Sequence, residues 1–284
     1  IFQELAGKEG RFFQGMDIIG ANLEGAVTEQ GEHYPPPQTY DFAFHPKKIQ
    51  TIQEDYNFNF FNIANNHLMD QGKRGIRETR DNLSRLGIDF SGCRDGVAGE
   101  CSLEVVEVQE KKVAFLGFSL VYRSPPREKM MDLARQASSS ADTVIAHIHW
   151  GTEYEHQFSS DQQELARALV DQGADIIIGH HPHVVQGMEV YNNSPIFYSL
   201  GNFVFDQYFS RDTQEGLGVG IHMGEKKDSF FLFPLTSEMS QVRLMADPEE
   251  HHRFLKEFAE WSELNDVQSK QIQESGVLKL LHKK

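Results

Sequence analysis

The sequence predicts a layered α/β fold, and three observations carry that expectation. Short apolar runs alternate along the chain with stretches of helical spacing. The hydrophobic share is 39%, with 21 phenylalanines in 284 residues. That is enough for a sizeable core and too apolar for a disordered chain. Nearly every apolar run also ends in His, Asn or Glu, as strands do when a site lies beyond their carboxyl ends.

Taken in order, the strand candidates are Asp17–Asn22, Phe58–Ala64, Val113–Phe118, Thr143–His149, Asp175–Ile178 and Ile196–Leu200. Each is short and rich in β-branched or aromatic residues, as a buried strand should be. Between them, Pro46–Tyr56, Gly75–Leu86, Pro126–Ala137 and Ser160–Gln172 have helical spacing. The last is the clearest: Ser160 with Gln163 resembles a capping box, Leu165, Ala168 and Leu169 form a stripe, and Gly173 is a stop. Leu217–Met223 and Phe230–Leu235 read as a hairpin around Gly224–Asp228. Pro248–Leu264 reads as a closing helix and Lys279–Lys284 as a frayed tail. Pro35, Pro36 and Pro37 make the insertion Thr28–Thr39 extended rather than helical. Phe58, Phe60 and Phe61 are core candidates. No internal repeat or low-complexity linker interrupts the pattern, so one domain over 1–284 is expected, with 248–284 as its terminal helix and tail.

The charge balance of 27 Lys and Arg against 42 Asp and Glu leaves −15. Such a chain repels phosphate backbones, so no nucleic-acid partner is expected. Cys93 and Cys101 flank the loop Arg94–Glu100. They can close one small ring, but two free thiols are the commoner outcome for a lone pair. No stretch reaches the roughly 18–20 apolar residues of a membrane span, and no signal peptide is present. The chain opens at Ile1, without Met, on the amphipathic segment IFQEL, which reads as the start of a fragment. There is no Walker A loop and no G-x-S-x-G elbow. Gly216-Leu217-Gly218-Val219-Gly220 lacks the strand–turn–helix context of a phosphate loop and reads as a hairpin strand.

The strand ends carry the chemistry. Glu24, Asn65-Asn66-His67, His147 and His149, His180-His181-Pro182-His183 and Asn202 each follow an apolar run. Singly, most have an ordinary reading. Glu24 alone is a solvated acid, and paired asparagines suit a turn. His147 and His149 lie two apart and share a strand face, so one can bind while the other orients it. Three imidazoles at the mouth of a buried strand are harder to explain without a metal, which removes both their repulsion and their desolvation cost. Imidazole with carboxylate suits Mn, Zn or Fe, one ion or two. Asp70 and Gly72 are expected to shape the turn after His67, with Asp70 near the helix start as a capping carboxylate.

The stretches GANLEGAVTE, NIANNHLMDQGKRGIRET, HIHWGTEY, GADIIIGHHPHVVQGMEVY and PIFYSLGNFVFDQ resemble the CapA/PgsA family of capsule and poly-γ-glutamate biosynthesis proteins. The resemblance runs from about Asp17 to Phe205. It implies the calcineurin-like metallophosphoesterase fold, a four-layer α/β/β/α sandwich around a two-metal centre. It implies a bacterial, extracytoplasmic, membrane-anchored protein that works with synthase or export subunits. By position, Glu24 takes the place of a bridging acidic ligand, Asn66 of a metal-binding asparagine and His67 of the general acid. His149 takes the place of a lone histidine ligand, and His181 and His183 of a closing pair with His180 as a rival for the first. Asn65, His147 and His180 remain candidates either to bind or to orient. Glu24, Asn66, His149 and His183 are expected to converge. The family's opening Gly-Asp strand has no counterpart before Asp17. The expected function is metal-dependent hydrolysis of a phosphoester or of the anionic γ-glutamyl polymer. The alternative is a non-catalytic scaffold of a polymer synthase or exporter.

Overall fold

The computed structural model describes Leu5, residues 11–35 and residues 39–281. The rest of the opening IFQEL segment, Pro36 and Pro37 of the insertion, and the last three residues of the tail lie outside these. The fold is mixed α/β. The chain divides into two compact units, Gly10–Trp150 with Asp171–Asp175, and chiefly Gly151–Val170 with Ile176–Lys284.

In the first unit, β1 (Gly20–Asn22) leads to the short β2 (Ala26–Val27), which pairs in parallel with β3 (Ala43–Phe44). Helix α1 (Pro46–Tyr56) has the expected bounds. Proline at its first position lacks an N–H the helix does not need, the His45 side chain accepts from Lys47 N, and Asn57 ends it at φ 57°. Strand β4 (Phe60–Asn62) lies between β1 and β5 (Asp89–Ser91), all parallel. Helix α2 (Gly72–Arg85) clamps β2: Thr79 Oγ1 accepts from Val27 N at 2.8 Å, and Asn82 Nδ2 donates to Val27 O at 3.0 Å. Both bonds are buried, so they fix the backbone shortly after Glu24. Strand β6 (Leu103–Val108) runs antiparallel to β7 (Lys111–Ser119), and β7 is parallel to β8 (Thr143–His149) across helix α3 (Arg127–Ser140). Phe58, Phe60 and Phe61 are buried as expected, and Phe60 stacks on Phe115 with ring centroids 4.0 Å apart.

Cys93 and Cys101 are joined in a disulfide, which corrects the expectation of free thiols. The physical reason is local. Gly92 N donates to Cys101 O at 2.7 Å, and this helps bring the two Cα atoms to 5.2 Å, within bridging range. Gly92 itself cannot be replaced without a shift. Its φ is +136°, and an added Cβ would lie 2.3 Å from Ala64 N, against the loop that carries Asn65 and Asn66.

In the second unit, helix α4 (Ser160–Asp171) buries Leu165, Ala166, Leu169 and Val170, with Ala168 half-buried. Its capping box is one residue earlier than predicted. Ser159 Oγ accepts from Gln162 N at 3.2 Å, and Gln162 Oε1 accepts from Ser159 N at 2.9 Å. The sequence offers both registers, and the buried Gln162 side chain, bonded also to Gln186, decides between them. Strand β9 (Ile176–His180) is parallel to β11 (Ser194–Leu200), which forms a hairpin with β10 (Val185–Tyr191). Asn192 and Asn193 turn that hairpin, both at positive φ.

After the short α5 (Arg211–Gln214), β12 (Glu215–Met223) and β13 (Lys227–Glu238) form the expected hairpin, so the glycine run is a strand. Strand β14 (Gln241–Leu244) pairs with β13, and α6 (Pro248–Glu260) and α7 (Asp266–Ser275) follow. The tail is not frayed over its described part. Val277–Leu281 is strand β15, paired with β13 and burying Leu278 and Leu280 on alternate positions.

Candidate metal and hydrolytic residues

Two groups of polar side chains stand out, one in each unit. In the first unit, Glu24 follows β1. Its Oε2 accepts from Asn22 Nδ2 at 3.1 Å, and Asn22 Oδ1 accepts from the buried Asn62 Nδ2 at 2.9 Å. The adjacent ends of β1 and β4 thus hold the carboxylate in place. Asn65 staples the next loop, donating to Leu23 O at 2.8 Å and accepting from His67 N at 3.1 Å. That leaves Asn66 to face β8: its Oδ1 lies 2.8 Å from His149 Nε2. Glu24 Oε1 is 3.7 Å from His149 Nε2 and 4.0 Å from His67 Nε2. Glu24, Asn66, His67 and His149 are therefore brought together.

Asp70 has a different role from the predicted cap. The residue before α2 is Gln71, whose side chain makes no capping bond. The buried Asp70 carboxylate instead meets His67 Nδ1 at 2.8 Å and accepts from Phe42 N at 2.9 Å. The Phe42 ring lies 4.4 Å from the imidazole. Carboxylate and ring together fix the orientation of His67 and place a proton on Nδ1, which leaves Nε2 directed toward Glu24. Gly72 does shape the turn, at φ +62°. His147 shares a strand face with His149 but sits among the rings of Phe60 and Phe115. Burial lowers its pKa from 6.5 to about 4, so it packs as a neutral ring.

In the second unit, β9 ends at His180, and the chain then bends sharply. His181 has φ 100° and His183 φ 60°, backbone values that side-chain-bearing residues rarely adopt. Glu153, His181 and His183 each place a ligand-capable atom within 4.8 Å of the others, and both histidines are buried. Tyr154 N donates to Pro182 O at 2.8 Å, tying the Glu153 loop to the histidine turn. His183 Nδ1 meets Asn202 Oδ1 at 2.9 Å. Asn202 Nδ2 donates to Thr213 O at 2.9 Å and to Gln207 Oε1 at 3.1 Å, so its carbonyl oxygen must face the imidazole. His183 therefore carries its proton on Nδ1 and its lone pair on Nε2, the form that binds metal. Gly216 permits this: an added Cβ would lie 2.1 Å from Asn202 O. His180 is absent from this three-residue group.

Three residues take roles that the sequence alone does not assign. Glu153 lies in the HIHWGTEY stretch, but an exposed loop acid carries no periodic signal. Asn202 is visible only as a strand end. Asp70 reads as a cap, although the i,i+3 His–Asp spacing is a signal that could have found its pairing with His67.

The chain belongs to the bacterial capsule synthesis protein family, whose model (Bacterial capsule synthesis protein PGA_cap) matches residues 1–207. It is 34% identical over 238 residues to the PGA biosynthesis protein CapA of Bacillus subtilis, covering 79% of this chain and 62% of that protein. It is 34% identical over 233 residues to the capsule biosynthesis protein CapA of Bacillus anthracis, covering 75% of this chain and 56% of that one. The chain thus spans about three fifths of the length of these relatives. Its fold is similar to that of a hypothetical protein from Thermus thermophilus, with a TM-score of 0.50, 15% identity, and coverage of 82% of this chain and 88% of the other.

Proposed function

We propose that this chain is a metal-dependent hydrolase domain of capsule polymer metabolism, whose two residue groups each supply metal-binding or proton-transferring side chains. The observation that carries the reading is the donor set Glu153, His181 and His183, with His183 held in its metal-binding tautomer by Asn202. One carboxylate and two buried imidazoles fit a divalent transition metal. In the first unit Glu24, Asn66 and His149 form a matching donor set, with Asn66 Oδ1 directed at His149. When bound, such ions supply an activated water and neutralise charge on the substrate oxyanion.

The chain's own residues do the rest. Asp70 holds His67 so that Nε2 carries a proton to the leaving oxygen or nitrogen. Asn202 and Asn62 keep His183 and the Glu24 loop from rotating away. The substrate class is a phosphoester or the γ-glutamyl polymer itself. The Cys93–Cys101 disulfide supports an oxidising, extracytoplasmic location. Among the described residues no helix is long and apolar enough to cross a membrane. We propose that the protein is membrane-associated and contacts synthase or export subunits.

The test is metal content by mass spectrometry, followed by hydrolysis of an aryl phosphate and of a γ-glutamyl oligomer with added Mn. Stoichiometric metal with turnover is the expected result. Metal without turnover of either substrate points to the scaffold alternative, and no metal overturns the reading. Within the same experiment, His183→Ala should weaken metal binding by about tenfold or more, because even the loss of a partner behind a ligand costs that much. Circular dichroism should be unchanged, since the core does not depend on the ion. Asn202→Ala should weaken binding by about 10–100-fold, measured by competition with a chromogenic chelator. Unchanged affinity in that variant would mean the Asn202 amide does not set the His183 tautomer.

A further inference from the structure

The second unit carries a groove of about 730 Å³ between α7 and the β12–β13 turn. Its rim is basic, although the chain as a whole has a net charge of −15. Lys226 comes from the turn, Lys227 from the start of β13 and Lys279 from β15, opposed along the lining, among the described residues, by Glu225 alone. Register explains the shape. Lys227, Ser229 and Phe231 alternate on one face of β13, opposite Leu281, Lys279 and Val277 of β15. On β12 the same face carries His222, Gly220 and Gly218, opposite Ser229, Phe231 and Phe233. Phe231, 39% exposed, and Val277 form an apolar floor, and Gln271 is fixed above β15 by accepting from Lys279 N at 3.2 Å.

We infer that this groove binds an extended polycarboxylate chain, the γ-linked glutamate polymer in particular, at a site separate from the hydrolytic residues. The inference rests on the capsule-polymer reading above for the identity of the polymer. Chemistry favours a polycarboxylate over phosphate. Among the described residues no arginine lines the groove, so the planar fork that suits phosphate is missing from them, while lysines act as spaced point charges. The groove is also too large for one small anion, and its apolar floor suits the methylene spacers of a repeating chain. A concave trough suits a single strand better than a flat lipid surface. Along β12, His222 lies six residues beyond Gly216, which packs on Asn202. That places the groove roughly 20 Å along the strand from the His183 support. A polymer bound here would be held by one stretch while another is processed.

The experiment is fluorescence anisotropy of a dye-labelled oligo-γ-glutamate titrated with the full chain, at low salt with EDTA present. EDTA makes the readout independent of any metal, so failure of the hydrolase reading and failure of this one are separable. The triple variant Lys226→Gln, Lys227→Gln, Lys279→Gln should bind about tenfold or more weakly, as expected from three modest exposed charge contacts. Added salt should weaken the wild type similarly. A control with Lys47→Gln and Lys48→Gln, exposed on α1, should bind as the wild type does. No binding by the wild type, or equal loss in the control, overturns the proposal. So does a triple variant that loses only its binding to phosphatidylglycerol vesicles, which would identify a membrane contact instead.

Discussion

If the chain is the metal-dependent hydrolase proposed above, replacing His67 by alanine is expected to lower hydrolysis by about 10²–10⁴-fold, the usual contribution of a positioned acid, while metal content stays at the wild-type level. The expectation follows from the placement of His67. Its Nδ1 is committed to Asp70 at 2.8 Å, and its Nε2 is 4.0 Å from Glu24 Oε1, beside the donor set without belonging to it. Asp70→Asn keeps the shape of the site but replaces the carboxylate acceptor. It should reproduce part of the loss and change the pH profile of turnover. A substrate whose leaving group needs no proton should be much less affected by either change. Steady-state rates on leaving groups of graded basicity provide the check. Equal losses across the series would exclude His67 as the acid, and loss of metal from His67→Ala would make it a ligand.

Leu169→Ala is expected to destabilise the chain by roughly 2–5 kcal/mol, the range for large-to-small changes in a packed core. Leu169 has no exposed surface, and its neighbours Leu165, Ala166 and Val170 are buried with it. Helix α4 leads into β9, whose end carries the histidine turn, so the packing of Leu169 helps place those candidate ligands. Denaturant unfolding followed by circular dichroism measures the effect, and an unchanged midpoint would make α4 peripheral. Metal bound per folded molecule should remain as in the wild type, because Leu169 is none of the donors named above.

What is legible in the sequence follows from what each segment contacts. Thr143–His149 is readable with its observed bounds because Val144–His149 are all buried, which gives a nearly continuous apolar run. Pro46–Tyr56 is readable with its observed bounds because its proline start is a local signal. Strand β6 escapes such a reading: its Leu103–Val108 sequence mixes glutamate with valine, and no residue of it is fully buried. Strand β15 escapes it because VLKLL has meaning only against β13, some fifty residues earlier in the chain.

The site shows the same division. Glu24, Asn66, His67, His149, His181 and His183 are visible as ligand-type residues at strand ends. Their supports are not, because Asn202 reaches His183 across nineteen residues and the Glu153 loop meets the turn through the Tyr154–Pro182 backbone bond and the stacking of Tyr154 on His183. Asp70 is local enough to read, but cap and imidazole partner compete for the same carboxylate, and only tertiary packing against Phe42 decides between them.

The left-handed backbone at His181 and His183 bears on efforts to make the protein heat-resistant. Each residue pays about 1–2 kcal/mol for a conformation that glycine adopts freely. A library screened only for survival at high temperature would therefore be drawn to His181→Gly and His183→Gly. Each such change relieves that strain and removes one imidazole of the candidate donor set. Any selection for durability needs a concurrent selection for metal or turnover, and a thermally improved clone with glycine at either position should be discarded.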